Sequence, residues 1–156
     1  MSEVLFDVGV LALAHTKPET PGQGSALSHV REAIRGERST VIPYPAIVGA
    51  HHVLRGVYRM PRSEASHRLT GLVGAQQPCW YGSVAESDLT GALALAGQHN
   101  IDAWDGYYAH VARETGATAI LTLDDDFDRI RDIEAEIVLS EAEFENLTAY
   151  IDDISG

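Results

Sequence analysis

Ala117-Thr118-Ala119-Ile120-Leu121-Thr122-Leu123-Asp124 is the stretch on which the fold turns. Residues 117–123 carry no charge, and the run then breaks on an acid. A continuous apolar run, unlike an alternating one, reads as a strand covered on both faces. Gly116 just before it suits the left-handed end of a helix over 102–115. Outward from here the same pattern recurs. Val4-Leu5-Phe6 runs into Asp7, Thr40-Val41-Ile42-Pro43 and Glu136-Ile137-Val138-Leu139 read as further strands, and Trp80-Tyr81 marks a fifth. Helical periods lie between them over 26–34, 45–58, 62–73 and 86–98. Ser83 with Glu86 predicts one capping box, and Ser140 with Glu143 a second before a last helix. Short buried strands alternating with helices predict an α/β fold, a three-layer sandwich with a central parallel sheet of four to five strands and helices on both faces.

With 156 residues and 45% hydrophobic content, the chain fits one globular domain spanning 1–156. It has no run of about 18 apolar residues, so no membrane span is expected. The opening lacks the basic segment of a secretory signal, and the lone cysteine, Cys79, has no partner for an intramolecular disulfide. A cytoplasmic location is the expectation. Cys79 itself reads as a buried small hydrophobe. The formal net charge is -12, and among the 11 cations only Lys17 is a lysine. An acidic, lysine-poor surface suits a salt-rich, halophilic setting, where charge repulsion is screened within a few ångströms; an ordinary acidic protein gives the same counts. The same charge argues against general affinity for nucleic acid, which favours basic patches.

Ligands of parallel α/β sheets bind outside the carboxyl ends of the strands. That rule selects Asp7 and Asp124, each directly after a strand, and adds Asp105, one turn into a helix leading towards the Asp124 strand. Carboxylates gathered at one edge repel unless a cation sits among them, and an all-oxygen donor set suits Mg2+ or Mn2+ rather than zinc. Each acid also has a structural reading. Asp7 suits the cap of the helix that follows, Asp102 suits an N-cap better than a ligand, and Asp124-Asp125-Asp126 suits a solvated turn. The seven histidines show no zinc-like spacing, and His51 and His52 point in different directions on a helix. Trp80, Trp104, Tyr107 and Tyr108 read as core or partner surface, and Arg55, Arg59 and Arg62 as the solubilising face of a helical hairpin or as contacts to RNA phosphates.

Across essentially its whole length the chain resembles the PIN-domain family of VapC-type toxins. Val4-Leu5-Phe6-Asp7-Val8-Gly9-Val10-Leu11 resembles the family's first-strand motif; His99-Asn100-Ile101-Asp102-Ala103-Trp104-Asp105-Gly106-Tyr107-Tyr108-Ala109 is similar to its third-acid region; and Gly116 to Phe127 looks like its end-of-strand motif. The resemblance implies a PIN-like fold and a metal-dependent endoribonuclease of a toxin–antitoxin pair. It assigns Asp7, Asp105 and Asp124 to Mg2+ or Mn2+, Thr122 to the active-site hydroxyl and Asp126 to an accessory role; Asp102 is a further accessory candidate as a hard-ion donor. It further implies an RNA substrate, an antitoxin protein as partner and a homodimer.

One motif departs from the family. Its usual Glu, on the helix after the second strand, is replaced by Gly49 within Pro43-Tyr44-Pro45-Ala46-Ile47-Val48-Gly49-Ala50-His51-His52. The nearest substitute donor on that helix is His52. A domain that binds RNA or a partner without cutting is therefore the alternative function. A response-regulator receiver is disfavoured, because it needs a late lysine and Lys17 is the only one. The salt reading has a direct test: a melting temperature that climbs from dilute buffer into molar KCl is expected, and full stability in dilute buffer would remove it.

Overall fold

Parallel strands cannot be joined by a hairpin, so each neighbouring pair here needs a crossover. The structure, a computed structural model, describes residues 3–124 and 126–156, with the backbone alone for Asp126 and Asp128. Strands β1 (Val4–Phe6), β2 (Thr40–Pro43), β3 (Cys79–Tyr81), β4 (Ala119–Thr122) and β5 (Glu134–Ile137) form one sheet in the order β3-β2-β1-β4-β5. All four pairings are parallel. The helices are α1 (Val8–Ala14), α2 (Gln23–Arg35), α3 (Tyr44–Gly56), α4 (Arg62–Val73), α5 (Glu86–His99), α6 (Ala103–Thr115) and α7 (Glu141–Ser155). None of them is long and apolar enough to cross a membrane.

The chain steps one way from β1 to β2 to β3, then returns across the sheet to β4 and continues outward to β5. Right-handed crossovers made in opposite directions place their helices on opposite faces. Thus α1 packs with α2 and α3, and α3 with α4, while α5 packs on α6 and α6 covers β1, β2 and β4. Every residue of β1, β2 and β4 is buried. Fully buried Leu5, Phe6, Ile42 and Ile120 each contribute about 1.5–3 kcal/mol relative to exposure.

The edges read differently from the centre. β5 pairs over 134–137 rather than 136–139, because it is an edge strand that carries Glu134 and Glu136 beside Ala135 and Ile137. Glu136 is held by both terminal nitrogens of Arg38 at 2.7 Å. Cys79, expected inside, is exposed, since it begins the other edge strand. The Ser83–Glu86 box does not form. Helix α5 starts at Glu86, and its third residue, Asp88, reaches back to the Ala85 amide (2.9 Å) and to the Ser83 hydroxyl. The Ser140–Glu143 box forms as expected, with bonds of 3.0 and 3.1 Å. Gly116 ends α6 with φ 79°, the conformation that favours glycine.

Gly106 lets α6 lie against the α5 backbone, since an added Cβ would lie 2.3 Å from the Ala92 carbonyl oxygen. Backbone cannot yield there without separating the helices. Gly106→Ala is expected to destabilise the protein by about 1–3 kcal/mol or more. Gly97→Ala, in the same helix pair but with nothing within 4 Å, should be neutral to stabilising by up to about 1 kcal/mol. Urea midpoints of the two variants check this pair.

Candidate active site

Strand order reverses between β1 and β4, and an open α/β sheet forms its ligand crevice outside the carboxyl ends at such a point. Asp7 leaves β1 there and Asp124 follows β4 there. Asp7 is 9% exposed and is the N-cap of α1, accepting the Val10 amide at 3.0 Å. Its own amide donates to the Leu121 carbonyl at 3.2 Å, tying the residue to β4 as well. Of the two readings of Asp7, the helix cap is the one observed directly.

Burial raises the Asp7 pKa from 3.8 to about 6, and the negative charge of Asp124 adds to the rise. The hydroxyl of buried Thr122 and the amides of Val10 and Gly9 oppose it, without cancelling it. The Asp124 amide meets the Thr122 hydroxyl at 3.5 Å, and Asp124 itself is exposed. Asp105 is half-buried in the first turn of α6, and its charge acts with that of Asp7 on the phenol of Tyr108. Asp102 caps α6 by accepting the Trp104 amide at 2.8 Å. The Asp126 side chain, an expected accessory acid, lies outside the described residues.

Among the described residues no group of three or more acidic, imidazole or thiol side chains is placed to hold a metal ion. What they offer is an open, all-oxygen edge. Mg2+ suits such an edge, because it keeps several waters and takes only one or two carboxylates directly. A buried carboxylate pushed towards neutrality by desolvation, and further by a second acid, gains from a cation. The donor set thus fits a hard divalent ion.

Gly49 is where the edge is short of an acid, and the place is filled. A Cβ there would come within 2.9 Å of a Val8 methyl and 3.6 Å of the Trp104 ring. A glutamate would have to displace Val8. His52 is exposed on the same helix. It lines an approximately 800 Å³ groove between α3 and α4 with His51, Arg55, Arg59 and Arg62, and no acid lines that groove. Beside Asp105, Val84, Leu89, Leu93, Trp104 and Tyr107 border an apolar cleft of about 280 Å³.

One feature escaped the sequence reading. Asp88, buried, accepts Tyr81 Oη (2.8 Å) and His110 Nε2 (2.9 Å) besides Ser83 and Ala85, and these bonds hold its carboxyl far below the usual range. Ser83 bonds the acid and not the imidazole, so this cluster is a clamp between β3, α5 and α6 and no nucleophile. Its sequence signal was an acid at the third position of a helix. Tyr108 lies in the core, as its sequence reading allowed, and its ring stacks on Trp104 at 5.8 Å and 25°.

No family model and no curated protein matches the chain. Solved structures do. VapC20 of Mycobacterium tuberculosis, a sarcin-ricin loop cleaving toxin, is 13% identical with TM-score 0.65, over 84% of this chain and 97% of that one. VapBC2 of Rickettsia felis, bound to a DNA fragment from their promoter, is 13% identical with TM-score 0.62, over 86% and 98%. FitAcB of Neisseria gonorrhoeae is 13% identical with TM-score 0.56, over 86% and 97%. The chain has the PIN-like α/β fold of VapC toxins.

The charge state of Asp7 yields a test. A carboxyl whose pKa is raised on folding contributes stability that is fully present below about pH 4 and lost as pH rises through about 6. Two units correspond to about 3 kcal/mol. Asn can keep the cap. Asp7→Asn is therefore expected to raise the stability of metal-free protein at pH 8 by about 1–3 kcal/mol, and the gain should shrink towards pH 4. Denaturant melts of both proteins across pH measure the difference.

Proposed function

We propose that this chain is a divalent-metal-dependent endoribonuclease of the toxin kind, acting through Asp7, Asp105 and Asp124. The observation that carries the reading is the meeting of Asp7 and Asp124 at the switch point of a PIN-like sheet, with Asp105 one turn into α6. Bound Mg2+ or Mn2+ supplies Lewis-acid stabilisation of the phosphodiester and a water of lowered pKa for in-line attack. The chain's own part is to hold the ion and aim the substrate. Asp7 binds as the carboxylate, so protons compete with the metal below about pH 6. Thr122 and the Val10 amide fix its orientation, and Asp124 and Asp105 share the charge.

Toxins of this fold suggest the partners. VapBC2 and FitAcB are the neighbours that support an antitoxin. The acidic edge suits an antitoxin arginine, which pairs bidentately with carboxylates. The apolar cleft at Leu89, Leu93 and Trp104 is surface that an antitoxin or a second copy in a homodimer would cover.

Gly49 supports a second reading, in which the domain binds RNA or a partner without cutting it. Val8 and Trp104 occupy the place of the fourth acid, so the edge cannot regain it by a side-chain rotation. Single-stranded RNA incubated with Mn2+ or Mg2+ at high salt separates the two. Cleavage is expected, with Asp7→Asn, Asp105→Asn and Asp124→Asn each losing roughly 100-fold or more. Undiminished cleavage by Asp7→Asn would exclude this site. Absence of both cleavage and millimolar metal binding in the parent chain would favour the binding domain.

A further inference from the structure

A formal net charge of -12 repels polyanions, yet one surface of the chain has the other sign. The groove between α3 and α4 is lined by Arg55, Arg59, Arg62, His51 and His52, and by no acid. Other arginines are matched: Arg35, Arg38, Arg68 and Arg113 each meet a carboxylate at 2.7–3.9 Å. Among the described residues no ion pair holds Arg55, Arg59 or Arg62. Salt screens charge beyond about 8–10 Å at ordinary ionic strength, so an anion in the groove meets the local sign and not the overall one.

Arg59 adds an independent observation. It stands just past α3 at φ 60°, in the left-handed region that favours glycine. The same place is held by Gly36 after α2, by Asn100 after α5 and by Gly116 after α6. The Met60 amide donates to the Leu54 carbonyl at 3.0 Å across this turn, so the conformation is built into the helix end. An arginine here bears a strain that glycine would not, and what it adds is a charge lining the groove.

The groove also leads towards the acids. Val48 lines it, and the next residue, Gly49, faces Val8 and Trp104, which adjoin Asp7 and Asp105 in the chain. From there His52, Arg55 and Arg59 follow at about one basic side chain per helical turn. Such a row suits a polymer with a charge on every unit, whereas a single small anion would meet one or two of its members.

We propose that the α3–α4 groove binds the phosphate backbone of single-stranded RNA, with Arg55, Arg59 and Arg62 neutralising phosphates and leading the strand to the acidic edge. The choice of RNA rests on the ribonuclease reading above, but the binding needs no metal. Its driving force is the release of counterions from the phosphates, so it weakens steeply with salt.

Fluorescence anisotropy of a short labelled single-stranded RNA, mixed with the full chain in EDTA, tests the proposal. Each phosphate contact to a single strand contributes about 0.7 to the salt slope, so replacing all three (Arg55→Gln, Arg59→Gln and Arg62→Gln) should lower the slope by about 2 and weaken binding about 100-fold at about 0.1 M KCl. Arg31→Gln, Arg35→Gln and Arg131→Gln together remove the same charge from exposed positions outside the groove, and should weaken binding by less than about 3-fold. Arg59→Gly alone should melt higher than the parent, because the left-handed strain is gone, and still bind about 5-fold more weakly. A merely structural Arg59 would not separate those two readouts. No loss in the groove triple, or an equal loss in the control triple, would overturn the groove as the site while leaving RNA cleavage standing. Tighter binding of a labelled poly-glutamate peptide than of RNA would overturn RNA as the occupant. Failure of the parent to bind RNA in EDTA would overturn the proposal, and Mn2+-dependent cleavage by that same protein would show the ribonuclease reading intact. Groove-dependent binding without any cleavage would uphold the proposal and count against the ribonuclease.

Discussion

A carboxylate buried at the end of the central strand is the constraint from which the rest follows. Burial disfavours the ionised form of Asp7 there, and neighbouring groups help only in part. The help comes first from the Thr122 hydroxyl and then from the backbone. The amides at the start of α1 and the hydroxyl of Thr122 converge on it, and its own amide fastens β1 to β4. One residue thus terminates the strand, starts the helix and joins two strands, and its ionised form carries a desolvation cost that a cation would relieve.

Small side chains decide how near the other pieces come. Gly106 lets α6 lie against the backbone of α5, which sets where Asp105 stands. Gly49 lets α3 accept Val8 and Trp104, which closes the wall of the crevice with apolar groups. In the first case a missing Cβ brings an acid into place. In the second it takes the room for one away. The PIN-like frame is thus kept, and Val8 and Trp104 occupy the space beside Gly49.

The parts of this arrangement visible in the sequence are those that depend on neighbours along the chain. Val4–Phe6, Thr40–Pro43 and Arg62–Val73 have the bounds that their patterns predicted, because apolar runs and helical periods are local signals. Asp7 and Asp124 were legible as strand-end acids. Strand order was not, since it depends on pairing across more than a hundred residues, and without it the switch point could not be located. The gap at Gly49 was visible, but its filling by Val8 and Trp104 was not, because those residues arrive from α1 and α6. Cys79 misled for the same reason: a cysteine at a sheet edge and one in a core look alike in sequence. The clamp at Asp88 was masked by a better-known capping pattern two residues earlier.

The sheet order also governs when such a protein comes into being. β1 is made first, yet it lies between β2 and β4, and its last residue is followed by an amide bonded to Leu121. No hairpin can form early to shelter it, and every contact it needs lies downstream. At translation rates of about 5–20 residues per second, Asp7 waits on the order of ten seconds before Asp124 exists. Until then the emerging chain has neither a closed sheet nor an assembled acidic edge. The sheet, and with it any activity at that edge, is completed only by the last strands of the chain.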